Sequence, residues 1–234
     1  MLKWGNSSGS PRCAVRSSNA ATVPARQAGP GSDLRPRMHT RTTTPWVVVD
    51  TETGGLDPHR HAILTVGVVL LDTSTGEMAG LELAVNDPEG DACEEALRKN
   101  HLDPVRIRRT GLAPKEAVTR IEDFTAPHIP PDKPVILAGH NVAFDVAFLR
   151  RLYRLADAEH RFTARYSHRT VDLHSAYVLL AEAGLVPQLP VASLGAIALS
   201  LEVPHDPARR HTALGDALTT ARCLFALLRR IRTP

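Results

Sequence analysis

The residues best suited to chemistry fall in three short stretches. The first is VVVDTETGGL at 47–56, where three consecutive valines run into Asp50 and Glu52, one residue apart. β-branched residues favour a strand, whereas ionised carboxylates are poorly tolerated at the end of a buried strand unless something offsets their charge. Side chains two apart on a strand share a face, so the two acids project together at its carboxyl end, where open α/β sheets bind ligands. A lone D-x-E is more often a solvated pair, so this reading needs partners. The second stretch, LAGHNVAFDVAFLRRL at 137–152, puts Asp145 in the first turn of a helix. At about 100° per residue, Phe148, Leu149 and Leu152 fall about 60°, 40° and 20° from it. The helix dipole alone would reward an acid there by about 0.3–1 kcal/mol, but this one lies in the apolar stripe and so points toward the sheet. The third, RRHTALGDALTTARCLF at 209–225, sets His211 five residues before Asp216. With Thr212 capping the helix, Asp216 sits in its first turn, and His211 stands on the preceding loop, free to lean over the same sheet edge.

These residues need a scaffold, and the pattern around them supplies one. WVVVDTET, AILTVGVVLLD and EMAGLELAV read as three strands, the last two joined by a TSTG turn. A charged, mostly helical stretch runs from about Asp91 to Phe124, and a short strand VILAG follows Pro130, Pro131 and Pro134. A helix from about Ala143 to Ala158, a strand around RTVDL and a helix within LHSAYVLLAEAG come next. Two further helices are expected in VASLGAIALSL and TALGDALTTARCLFALLRRI. In the second, Leu214, Ala217, Leu218, Ala221, Leu224, Phe225 and Leu228 recur at helical spacing. Three strands followed by alternating helix and strand predict an α/β architecture with a mixed sheet covered by helices.

Of the 234 residues, 43% are hydrophobic, enough for one domain with a core. The charge is divided unevenly: residues 1–41 carry +6 and residues 42–234 carry −3. The basic character therefore belongs to the N-terminal stretch and gives no basic nucleic-acid-binding body. Residues 1–44, rich in Ser, Pro, Gly, Ala and Arg, are expected to be a disordered basic tail or an over-extended gene start, with Met38 as the alternative first residue; 45–234 form the domain. Cys13, Cys93 and Cys223 lie far apart without a CxxC pair, which excludes a disulfide framework and a zinc site as readings. With no apolar run of membrane-spanning length, a cytoplasmic protein is expected.

In order, D-x-E at the end of a first strand, H-N-x-x-F-D opening a middle helix and H-x-A-x-x-D opening a late helix resemble the three motifs of the DEDDh, or DnaQ-like, 3′-to-5′ exonucleases. The likeness runs from about Trp46 to the last helix. It implies an RNase H-like fold with a mixed five-stranded sheet and helices on both faces. It also implies that Asp50, Glu52, Asp145 and Asp216 bind metal and that His211 is the general base. Thr51, Thr53, Leu56, Asn141 and Phe144 would meet the terminal nucleotide. Gly54 departs from the pattern, since many members carry threonine there, and Asp172 in TVDLHSAY is expected to be structural. Four carboxylates facing a phosphodiester repel it by about 4 kcal/mol per pair at about 4 Å in an effective dielectric of about 20. Two divalent cations would cancel them, and an oxygen-only donor set favours Mg²⁺ or Mn²⁺.

The expected activity is metal-dependent release of nucleoside 5′-monophosphates from single-stranded 3′ ends, DNA ahead of RNA, in repair or proofreading. RNase T- or oligoribonuclease-like RNA trimming is the alternative, and a non-catalytic nucleic-acid-binding module ranks below both because none of the five residues is missing. Only 4% of residues are aromatic, which leaves little material for a long stacking platform. Arg98, Lys99, Arg106, Arg108 and Arg109 read as a solvated helix face rather than as phosphate contacts. A polymerase or a second copy of the chain remains open as a partner; QLPVASL from Gln188, faintly like a replication-clamp peptide, falls inside the expected domain.

Overall fold

The structure, a computed structural model, describes residues 44–232 apart from 205, 207 and 208. The expected tail therefore lies outside the described residues, save for residue 44.

Five strands, β1 (Trp46–Thr53), β2 (Ile63–Leu71), β3 (Met78–Ala84), β4 (Val135–Gly139) and β5 (Tyr166–Asp172), form one sheet in the order β3-β2-β1-β4-β5. The β1–β2 and β2–β3 pairs are antiparallel, and β1–β4 and β4–β5 are parallel. This is the mixed five-stranded sheet expected from the motifs. The hairpin turn between β2 and β3 ends on Gly76 at φ 81°, a conformation that favours glycine. All nine residues of β2 are buried, which explains why its sequence is an apolar run rather than an alternation.

Eight α-helices and one short 3-10 helix (Ala126–His128) complete the described fold: α1 (Glu94–Asn100), α2 (Pro104–Thr110), α3 (Pro114–Thr125), α4 (Val142–Leu155), α5 (Glu159–Arg165), α6 (Leu173–Glu182), α7 (Leu194–Ser200) and α8 (Ala213–Arg232). The period-2 alternation of β1 divides the core in two. Val47 and Val49 pack with Ile121 of α3 and with Phe148, Leu149 and Leu152 of α4. Val48 packs on the opposite face with Tyr177 of α6, Ile197 of α7 and Ala217, Ala221 and Leu224 of α8. Helices cover both faces, as the resemblance implied. Among the described residues no helix is long and apolar enough to cross a membrane.

The expected helix from about Ala143 to Ala158 is α4, one residue earlier at its start and three shorter at its end, and a further helix that the sequence reading lacked follows it. The α4 helix ends at Leu155, Asp157 turns the chain at φ 55°, and α5 follows before a β5 that begins three residues earlier than RTVDL. A left-handed aspartate carries no glycine signal, so this reversal was not legible in the sequence.

Candidate active site

The first acidic pair lies at the carboxyl end of β1, where Asp50 faces Gly67 and Glu52 faces Thr65 across the β1–β2 ladder, just before a break in register. By strand parity Asp50 and Glu52 share the face of Val48, which α8 covers. A Cβ at Gly67 would lie 2.2 Å from the Ala213 carbonyl oxygen, so only glycine lets the start of α8 come this close to the sheet. The same helix start is held by Thr212, whose hydroxyl accepts from the Gly215 N–H at 3.1 Å. Glu82 of β3 also accepts from the Leu214 N–H at 2.9 Å. Asp216 is thereby delivered to the pair from β1. A carboxylate oxygen from each of Asp50, Glu52 and Asp216 lies within 4.8 Å of the others, an oxygen-only group that could hold a metal ion.

Asp145 reaches the same edge from the other face. Thr51, on the parity of Val49, donates both its backbone N–H at 2.8 Å and its hydroxyl at 2.7 Å to one Asp145 oxygen. That carboxylate is 3% exposed. It stands beside the three-acid group rather than within it, near enough that its charge is the largest ionic influence raising Asp50.

Burial dominates the electrostatics, because removing a carboxylate from water disfavours its charge. It lifts Asp50 well above the ordinary range, with Asp145, Asp216 and Glu52 adding to the effect. Glu52 rises to about 8 through burial and then Asp216. Burial lifts Asp145 to about 7 against the two opposing hydrogen bonds from Thr51. Asp216 is raised by burial too, partly opposed by a backbone hydrogen bond from His211 and by the His211 and Arg210 charges. His211 itself stands half-buried on the loop before α8 at φ 61°. The four motif acids thus gather at the carboxyl end of β1, and His211 adjoins them through its backbone hydrogen bond to Asp216.

A cavity of about 550 Å³ adjoins them, lined by Glu52, Leu56, Lys99 and Phe144 among others. Leu56 is 83% exposed at a loop tip. Phe144 packs on Phe148 with ring centroids 4.9 Å apart. Thr51 and Thr53 line this cavity, but their hydroxyls are engaged within the protein, that of Thr53 donating to the Gly55 carbonyl at 2.7 Å. Asn141, at φ 60° before α4, is exposed and is not among the residues lining the cavity. At Gly54 a Cβ would lie 2.3 Å from the Asp91 carbonyl oxygen and 2.8 Å from the Ala92 Cα, so the segment before α1 leaves no room for threonine.

Two supports had no signal in the sequence because their partners are distant in it, while a third, Asp172, takes the structural role expected of it. Arg151, 3% exposed, donates to both oxygens of Asp87 at 2.7 and 3.0 Å and to the Pro58 carbonyl at 3.1 Å. Asp87 also accepts from the Ile63 N–H, so this pair fixes both ends of the segment following Leu56. Asn100 donates to the Thr53 carbonyl at 3.2 Å. Asp172 does not join the acid group: it accepts from Ser175 N–H at 2.7 Å and Val142 N–H at 2.9 Å, tying α6 to α4. Burial would raise its pKa, but these bonds hold it below the ordinary value.

A family model described as Exonuclease (RNase T) matches residues 47–224. The chain is similar to an oligoribonuclease of Corynebacterium glutamicum (strain R), at 30% identity over 136 residues, 55% of this chain and 59% of that protein's own length. It is 26% identical to a ribonuclease T of Wigglesworthia glossinidia brevipalpis over 79% of this chain and 84% of that one. Its fold is that of E. coli Exonuclease I in complex with a dA16 oligonucleotide, with TM-score 0.63 and 17% identity over 82% of this chain and 42% of the other. Matched by that model over well over half its length, with the motif acids assembled at one strand end, the chain belongs to the RNase T exonuclease family, within the DnaQ-like 3′-to-5′ exonucleases.

Proposed function

We propose that this protein is a divalent-metal-dependent 3′-to-5′ exonuclease that removes nucleoside 5′-monophosphates from single-stranded nucleic acid. The observation that carries the reading is the convergence of Asp50, Glu52 and Asp216 within 4.8 Å, with Asp145 held beside them by Thr51. A cluster of partly buried acids with raised pKa values binds no phosphodiester unaided, and its hard oxygen donors fit Mg²⁺ or Mn²⁺. When bound, such ions would neutralise the acids and the phosphate and make a water a better nucleophile.

The chain's own residues would do the rest. Asp50, Glu52 and Asp216 hold the ions from the β1 and α8 side, and Asp145, oriented by Thr51, holds from the α4 side. His211, beside Asp216, takes the proton of the attacking water, a role suited to an imidazole. Leu56 and Phe144 offer apolar surface to the terminal base, while Thr51 and Thr53 contribute through the shape of the cavity wall rather than through free hydroxyls. Asn141, exposed at the start of α4, would meet the strand only as it enters.

DNA is the first reading of the substrate and RNA the second, which the names of the sequence relatives favour. The test is digestion of matched 5′-labelled single-stranded DNA and RNA oligonucleotides with Mg²⁺, Mn²⁺ or EDTA, beside Asp50→Ala. Stepwise shortening from the 3′ end, lost in EDTA and in the variant, is expected, and the faster polymer identifies the sugar. Metal-independent cutting, or none, overturns the reading.

A further inference from the structure

The α1 helix was expected to present a solvated basic face, but its position is set by the active-site strand. Its preceding residue, Cys93, donates its N–H to the Gly54 carbonyl at 2.7 Å. Its last residue, Asn100, donates its side-chain amide to the Thr53 carbonyl at 3.2 Å. The helix is therefore fastened at both ends to Thr53, the last residue of β1, and to Gly54 just after it, and the absence of a side chain at Gly54 allows the approach. Between these anchors Lys99, an exposed residue, lines the cavity that Glu52, Leu56 and Phe144 also line. Its charge acts on Asp50, on Glu52 and on Asp216, lowering each against the burial that raises it.

Resting on the exonuclease reading, we propose that Lys99 is a substrate-binding residue whose ammonium group takes a phosphate of the entering strand. The cavity lining is mixed: Leu56, Ala96 and Phe144 offer apolar surface for a base, and Lys99 contributes a cation to a lining that also holds Glu52 and Glu95. In the protein without ions Lys99 partly offsets the carboxylates. Once divalent cations occupy the acids, that role becomes redundant, and the same ammonium is left for the one other anion entering the cavity, the phosphodiester backbone. A lysine suits this contact because it acts as a mobile point charge and needs no fixed bidentate partner. The contact is to the backbone, so it carries no base preference.

The test uses the full chain and a fluorescein-labelled oligothymidylate, comparing wild type, Lys99→Met, Lys99→Arg and, as a control on the same helix, Arg98→Met. Anisotropy with Ca²⁺ in place of Mg²⁺ reports binding, and Mg²⁺-driven shortening reports kcat and KM. Lys99→Met is expected to raise Kd and KM about tenfold, to leave kcat within about twofold, and to flatten the salt dependence of binding by about one unit of slope. Lys99→Arg should restore most of the affinity, and Arg98→Met should resemble wild type. An unchanged Kd and salt slope in Lys99→Met, or a loss confined to kcat, overturns the proposal. If wild type binds the oligonucleotide without shortening it while Lys99→Met binds more weakly, the exonuclease reading fails and the phosphate contact stands. If wild type binds no oligonucleotide, both fail.

Discussion

Asp145 is the carboxylate whose behaviour depends most on one neighbour. Both Thr51 donors favour its ionised form, and together they restrain a pKa that burial has already lifted to about 7. Thr51→Val removes one of them without changing the shape of the side chain. The Asp145 pKa should rise further, and the acid limb of the pH–rate profile should move to higher pH, because ion binding needs the carboxylate deprotonated. A profile that moves to lower pH, or not at all, would show that Asp145 is not a ligand. His211 calls for a different experiment. If it takes the water's proton, His211→Ala lowers kcat by about 10²- to 10⁴-fold and leaves oligonucleotide Kd in Ca²⁺ nearly unchanged. Equal losses in both would assign it to binding instead.

At the level of elements, the site depends on contacts between parts of the chain that are far apart in sequence. The α8 helix can carry Asp216 to Asp50 only because Gly67 and Gly80 leave space beneath it, the latter facing Leu214. The α4 helix carries both Asp145 and Arg151, and Arg151 holds the Pro58 carbonyl and Asp87 behind the loop bearing Leu56. Arg151→Met would leave the Asp87 carboxylate buried without its cation. Breaking a buried pair from one side costs about 3–5 kcal/mol, so urea unfolding should show a loss of that order. The same variant should raise KM for oligonucleotide digestion more than it lowers kcat, since the loop moves while the acids stay. A loss below about 1 kcal/mol would mean that Asp87 is satisfied by the Ile63, Glu89 and Gly90 amides alone.

For the whole molecule, the acid cluster makes stability depend on pH and on ions together. Glu52 at about 8 and Asp145 at about 7 bind protons in the folded state that the unfolded chain releases near about 4. Over that window the native state holds more protons than the unfolded one, so stability falls as pH rises. Without divalent ions, the melting temperature should therefore decline from about pH 5 to pH 8. Mg²⁺ binds the ionised form, so its stabilising effect should grow over the same range, with protons released on binding near pH 7. Calorimetry in two buffers of different ionisation enthalpy reads that release. A melting temperature that climbs with pH in EDTA would contradict the raised carboxylates.

The chemistry-bearing positions and the elements carrying them were legible in the sequence because both depend on local periodicity. VVVDTET places two acids on one strand face, and the apolar spacing around Asp145 and Asp216 turns each toward the sheet. Thr212 as the cap of α8 was equally local, a hydroxyl three residues from the Gly215 N–H it accepts. The tertiary structure alone decided which atoms meet. That Thr51 holds Asp145 across 94 residues, that Arg151 closes on Asp87 across 64, and that α1 lies against Gly54 and so brings Lys99 to the cavity that Glu52 lines are consequences of packing between distant segments. Periodicity reports the face a side chain occupies, whereas its partner is fixed only when strand register and helix approach are set.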